Sequence, residues 1–145
     1  MGIISVSVVP RFVNQNSFNA RFFRDDLMGA IRFARNHAVT TGCDVRFRVN
    51  ANVFRIWRNT NCANPNLAVV YNNATEVFRP GGGDNTIPNG IAITQNTDIF
   101  FSPAGDVSAI VIGNNPQQNC VNNLALNLGV NTNAITVECA TGYVR

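Results

Sequence analysis

Arg46, Arg48, Arg55 and Trp57 are the residues of this chain whose types and spacing could most readily do chemistry. Val45, Phe47 and Val49 alternate with Arg46 and Arg48, and after Asn50-Ala51-Asn52 comes Val53-Phe54-Arg55-Ile56-Trp57-Arg58. Period-two alternation predicts two strands, and a hairpin needs one apolar face. Val45, Phe47 and Val49 share that face with Phe54 and Ile56. Arg46, Arg48, Arg55 and Trp57 then stand on the other. Guanidinium groups beside an aromatic ring can bind single-stranded nucleic acid, by phosphate pairing and base stacking. The alternative is a solvated strand face, with an arginine stacked on Trp57 across the hairpin.

Other reactive residue types lack the company that catalysis needs. A nucleophile requires a base within hydrogen-bond reach and a group to orient it. The single histidine, His37, falls on a helical pattern among arginines. Ser102-Pro103 reads as a turn. Gly81-Gly82-Gly83 lacks the Lys-Ser/Thr that completes a phosphate loop. Asp84, Asn85, Asp98 and Asp106 offer oxygen ligands but not the ordered spacing of a calcium loop, so they read as turn residues. The expectation is a protein without catalytic residues, cofactor or metal.

Composition sets the frame. At 145 residues, with 46% hydrophobic and 13% charged residues, the chain is one domain able to bury a core. All eleven basic residues are arginine, and the net charge of +3 is too modest to argue for nucleic acid unless the charge is clustered.

The elements that must position these side chains change character near Gly42. Over residues 11–41, Phe23, Leu27, Ile31, Ala34 and Ala38 recur at steps of four, four, three and four, one helical stripe. Arg21, Arg24, Asp25, Arg32, Arg35 and Asn36 lie largely off it. Gly42 is the expected stop. Five phenylalanines, Phe12, Phe18, Phe22, Phe23 and Phe33, exceed one narrow stripe, and Phe12 and Phe18 are expected to be exposed in an isolated monomer. Beyond the hairpin, strands are expected at Leu67–Tyr71, Glu76–Phe78, Ile91–Thr94, Asp98–Phe101, Val107–Ile112, Leu124–Leu128 and Ala134–Cys139. Pro80 to Asn85 is the strongest loop. The organisation expected is an N-terminal helix over 1–42 and a β-rich head over 43–145, in one α+β domain.

Cys43 and Cys62 flank the first hairpin, and Cys120 and Cys139 flank the last. Bonds there would close the hairpin bases, each stabilising by about 3 kcal/mol in the chain-entropy model. Four cysteines allow three connectivities, and four reduced thiols in a cytosolic protein are the alternative.

The N-terminus is an uncharged apolar run, from Gly2, Ile3 and Ile4 through Val6, Val8 and Val9 to Pro10, followed by Arg11 and Phe12. It is under half of the roughly 20 residues that span a bilayer. It also lacks the basic start and cleavage site of a signal peptide. Pro10 should kink a helix there. Either Met1 stands inside a longer hydrophobic helix, or the run is an ordinary helix packed on the core.

Several of these segments carry a family resemblance. Gly2 to Phe12 closely resembles the later part of the N-terminal helix of type IV pilins and pseudopilins, with matching glycine-to-proline spacing. Leu27 to Val39, containing Ala34-Arg35-Asn36-His37-Ala38, resembles the helix end of the GspH/FimT group of minor pseudopilins. In that group an A-R-x-x-A segment leads into a strand like Val45–Val49 and then one bearing tryptophan, here Trp57. Phe100 to Gly105 resembles the group's F-x-P-x-G turn. Ile135-Thr136-Val137 with Thr141-Gly142-Tyr143-Val144-Arg145 resembles its I-x-V…G-R-V-R ending, although Tyr143 replaces the first arginine and only Gly142 and Arg145 match. The Val-Val-Pro-Arg-Phe junction is most similar to minor pilins of mannose-sensitive haemagglutinin (MSHA) pili.

The resemblance implies a long helix laid on antiparallel sheet, and a structural role. Gly2, Ile3, Ile4, Val6, Val8, Val9, Pro10 and Phe12 would lie in the inner membrane and later in the core of a pilus. Other major and minor pilins and the prepilin peptidase would be partners, and the head would face the periplasm of a Gram-negative bacterium. The leader, the N-methylated first residue and the early helix glutamate are absent, so a truncation of about a dozen residues is expected; with Gly2 to Val9 these would complete a span. Some relatives bind DNA through the basic ending, which adds Arg145 to Arg46, Arg48, Arg55 and Trp57 as candidate contacts for nucleic acid or a partner. A type II secretion pseudopilin is a further reading.

Overall fold

The computed structural model describes residues 15–50, 52–60, 62, 76–80, 85–93, 95–116, 118–126 and 134–145, with helix side chains from residue 19 onward. The apolar N-terminal run, the kink expected at Pro10, the exposure expected of Phe12 and Phe18, and the strand expected at Leu67–Tyr71 all lie outside the described residues.

Helix α1 runs from Gln15 to Thr41, about 40 Å of helix. Its apolar stripe is the buried face: Phe23 is 3% exposed, and Leu27, Ile31, Ala34 and Ala38 are fully enclosed. Alanine at 30, 34 and 38 lets the helix axis come close to the sheet, whereas Arg21, Arg32 and Asn36 face water. Gly42 ends the helix in the left-handed region, φ 66°, with its N–H on the Ala38 carbonyl at 3.0 Å. A residue without Cβ adopts that conformation at no steric cost.

The helix packs on a four-stranded antiparallel sheet of β1 (Val45–Val49), β2 (Phe54–Arg58), β3 (Thr97–Phe101) and β4 (Val107–Ile112), in the order β2-β1-β3-β4. The first hairpin has the expected register, with Phe47 opposite Ile56 and Arg46 opposite Trp57. Asn50 shapes its turn, its side-chain oxygen accepting from the N–H groups of Asn52 and Val53 at 3.1 and 3.0 Å. A two-stranded sheet follows, β5 (Leu124–Leu126) against β6 (Ile135–Val137). The C-terminus extends it: Val144 bridges Val137, and Thr136 and Arg145 exchange backbone hydrogen bonds at 2.8 and 3.0 Å.

One core unites helix and both sheets: Leu27 and Ile31 with Phe47, Phe54, Ile99 and Phe101, and with Leu126, Ile135 and Val137. Phe54 stacks on Phe47 at 5.9 Å and meets Phe23 at 6.4 Å. Burying each such ring stabilises by about 2–3 kcal/mol. The fold is α+β. Among the described residues no helix is long and apolar enough to cross a membrane.

Two expected strands are corrected. Glu76–Phe78 forms only an isolated bridge, Glu76 to Trp57, with the Val77 N–H on the Ile56 carbonyl at 2.8 Å. Ile91–Thr94 forms no named strand among its described residues; Ile91 and Ile93 instead pack half-buried against the core. Short apolar alternation marks which side chains go inward, but a strand also needs a partner edge over several residues. β3 begins one residue earlier than expected, β6 is shorter, and β5 is described only to Leu126.

Candidate functional site

The sheet face turned away from α1 collects the charged side chains. Arg46 and Trp57 are directly opposite across the β1–β2 hairpin, as are Arg48 and Arg55. β3 brings Phe100 opposite Arg46 and Asp98 opposite Arg48 on the other flank. Asp98 is 7% exposed and takes both neighbouring arginines, Arg46 Nη2 at 2.5 Å and Arg48 Nε at 3.3 Å. Arg55 Nε lies 3.8 Å from Glu76 Oε1. Among the described residues, three guanidinium groups on this face therefore meet two carboxylates.

The aromatic surface is occupied as well. The Arg46 guanidinium lies 5.5 Å from the Trp57 ring centroid and 5.7 Å from that of Phe100. Trp57 retains 8% of its surface and Phe100 5%. A cation held between two rings and against a carboxylate is a stabilising cluster. A base would have to displace Arg46 to stack on Trp57. The arms that remain reachable are Arg48 and Arg55, each with 43% of its side chain exposed.

Arg145 is exposed and stands elsewhere. The C-terminal segment that carries it bridges β6, and Arg32 of α1 donates to the neighbouring Val144 carbonyl at 3.0 Å. The structure thus groups Arg46, Arg48, Arg55 and Trp57 on one face and places Arg145 beside the helix.

A second junction joins three segments far apart in sequence. Arg35 Nε donates to the carbonyls of Gly105 and Thr141 at 3.0 and 2.9 Å. Gly105, φ 88°, and Gly142, φ 63°, both adopt left-handed backbone against the stem or head of this arginine. The turn leading into β4 is self-contained: Ser102 N–H meets the Asp106 carbonyl at 3.0 Å, and the Ser102 hydroxyl donates to the Asp106 carboxylate. Ser102 is therefore a turn residue.

His37 stacks on Phe33 at 5.8 Å, and its carbonyl accepts from the Thr40 and Thr41 hydroxyls. Burial first, and then Arg58, hold its imidazole below the usual value of 6.5. Asp44 is 5% exposed where the helix gives way to β1; burial and then Asp106 push its carboxyl above 3.8, against the pull of its own backbone amide. Among the described residues no three His, Cys, Asp or Glu side chains are grouped to hold a metal.

Two disulfides staple this framework, Cys43–Cys62 and Cys120–Cys139. The first ties the end of α1 to the segment after β2, and the second ties the turn after β6 to the segment before β5.

Asp98, expected both as a turn residue and as the start of a strand, stands in β3 rather than a turn and pairs with two arginines, while Glu76 and Phe100 were the site residues that sequence reasoning missed. The alternation of Asp98 with Ile99 and Phe100 with Phe101 signalled two faces, but not that this strand would lie against β1.

No curated protein and no solved structure gives a match to the chain. The model of one protein family does, over residues 24–137, a span that includes most of α1 and every strand from β1 to β6. By that match the chain belongs to the GspH family, described as type II transport protein GspH.

Proposed function

We propose that this protein is a minor pilin or pseudopilin, a structural subunit without enzymatic activity that assembles with other pilins. The observation that carries this is the GspH match across the helix-on-sheet unit. The exposure pattern of α1 supports it. The stripe covered by the sheet begins at Phe23, while Asn19, Arg21 and Phe22 are exposed, so the helix overhangs the head toward its N-terminus. Gly2, Ile3, Ile4, Val6, Val8, Val9, Pro10 and Phe12 precede the helix in sequence. They would anchor the subunit in the inner membrane, with the head in the periplasm, and later enter the filament core.

Within this role we favour an MSHA-like type IV pilus, on the Val-Val-Pro-Arg-Phe junction. A type II secretion pseudopilin is the second reading, supported by the family's description. Nucleic-acid binding through Arg46, Arg48, Arg55, Trp57 and Arg145 has less support, because carboxylates meet three of these arginines and Arg46 covers the ring.

Fractionation of the full-length native protein tests the assignment. Recovery in the inner membrane and in sheared surface fibres, lost when the prepilin peptidase is deleted, is the expected result. Recovery as a soluble protein indifferent to that peptidase would overturn it. Loss of secreted enzymes on deletion, with surface fibres intact, would select the secretion reading. DNA retardation that falls steeply with added salt would bring the binding reading forward.

A further inference from the structure

Asparagine is abundant in this chain, yet Asn89 alone is followed by glycine. That pair occupies the centre of an exposed turn, closed by the Ile91 N–H on the Pro88 carbonyl at 3.2 Å. Gly90 has φ 89°, and nothing approaches within 4 Å of where its Cβ would be. Neither the Asn89 side-chain amide nor the Gly90 N–H has a hydrogen-bond partner among the described residues.

We infer that Asn89 is a site of spontaneous covalent modification, by deamidation through a cyclic imide. The Gly90 amide nitrogen gives its proton to hydroxide and attacks Cγ of Asn89. A C–N bond forms, the bond from Cγ to the side-chain nitrogen breaks, and ammonia leaves with a proton taken from water. The imide is then opened by water at either carbonyl. One opening yields aspartate; the other yields isoaspartate, with the backbone rerouted through Cβ and Cγ. No redox partner is involved, and water and ammonia complete the balance.

Three features of the local structure favour the reaction at this position. A following glycine presents no side chain to obstruct the attacking nitrogen. An N–H without an acceptor loses no hydrogen bond on deprotonation. The space around Gly90 leaves room for the tetrahedral intermediate. The position also has a consequence. The turn lies between Ile87, whose N–H bonds the Asn52 carbonyl at 2.9 Å, and Ile91, half-buried on the core. Aspartate lowers the net charge from +3 to +2, by one carboxylate replacing one amide. Isoaspartate also lengthens the backbone between two anchored isoleucines. On the pilin reading proposed above, the subunit would age at this turn within the fibre.

The test is incubation of the folded protein in mildly alkaline buffer made with heavy-oxygen water, followed by peptide mapping with fragmentation that distinguishes isoaspartate. The expected result is that Asn89 loses its amide several-fold faster than Asn122 or Asn123, gains the heavy oxygen, and gives both products. The rate should rise with pH, and Asn89→Gln, whose circular dichroism should match the parent's, should stop the reaction at this position. Asn89 surviving as long as Asn122 would overturn the inference. So would conversion to aspartate alone, which would indicate direct hydrolysis.

Discussion

Gly142 leaves no room for a side chain against Gly105: a Cβ built on it would overlap the Gly105 carbonyl oxygen and stand 3.1 Å from Arg35 Cδ and Nε. Two turns separated by β4, β5 and β6 are thus locked together over the stem of one helical arginine. Gly142→Ala should destabilise the fold by about 2–3 kcal/mol, combining the overlap with a left-handed backbone at φ 63°. Gly42→Ala is the control. It shares the left-handed backbone, φ 66°, but nothing lies within 4 Å, so about 1 kcal/mol is expected. Denaturant unfolding of the two variants separates overlap from strain. Equal losses would mean that the contact with Gly105 carries no weight.

Arg35 itself should be irreplaceable by lysine. Its Nε serves two carbonyls, and lysine has a methylene where that nitrogen stands. Arg35→Met should cost about 2 kcal/mol, as expected for lost hydrogen bonds from a charged donor. Arg35→Lys should recover less than half of this. Hydrogen exchange should show the loosening first at Tyr143 and Arg145, whose strand is held beside α1.

Asp98→Asn should weaken the sheet more than any exposed charge change. It removes the one carboxylate that Arg46 and Arg48 share inside a nearly closed cluster. Breaking a buried pair costs about 3–5 kcal/mol, but Arg48 reaches water, so about 2–3 kcal/mol is expected. Tryptophan fluorescence should shift at the same time, because Arg46, which lies over the Trp57 ring, would lose the carboxylate that holds it there. Unchanged emission with unchanged stability would show that the cluster contributes nothing.

The two perturbed groups should push the pH dependence of stability in opposite directions. His37 is depressed in the folded state, so below about 6.5 the unfolded chain binds the extra proton and stability falls with acidification. His37→Gln should flatten that decline. Asp44 is raised, so the folded state resists ionisation and loses stability as pH rises from 3.8 through its folded value. Asp44→Asn should therefore be more stable than the parent at neutral pH, with the gain fading near 3.8. Urea midpoints across this range would decide both, and parallel profiles for parent and variants would refute them.

The sequence by itself determined the elements whose signals are local. Phe23, Leu27, Ile31, Ala34 and Ala38 fall on one side of a helix because its turn is 3.6 residues long, and the sheet covers that side. The alternation from Val45 to Trp57 fixed which side chains share a face, since a strand repeats every two residues and a one-residue slip would bury the arginines. What tertiary structure alone decided is who lies opposite whom. Placing β3 beside β1 gave Arg46 and Arg48 their carboxylate, from a strand about fifty residues away. Glu76–Phe78 and Ile91–Thr94 have strand-like alternation but no partner edge over their length, so they remained single bridges or half-buried loops. Arg35, Gly105 and Gly142 meet only after helix, sheet and C-terminal strand have packed. No local period encodes that meeting, because its energy comes from close contact and from one guanidinium donating to two carbonyls distant in sequence.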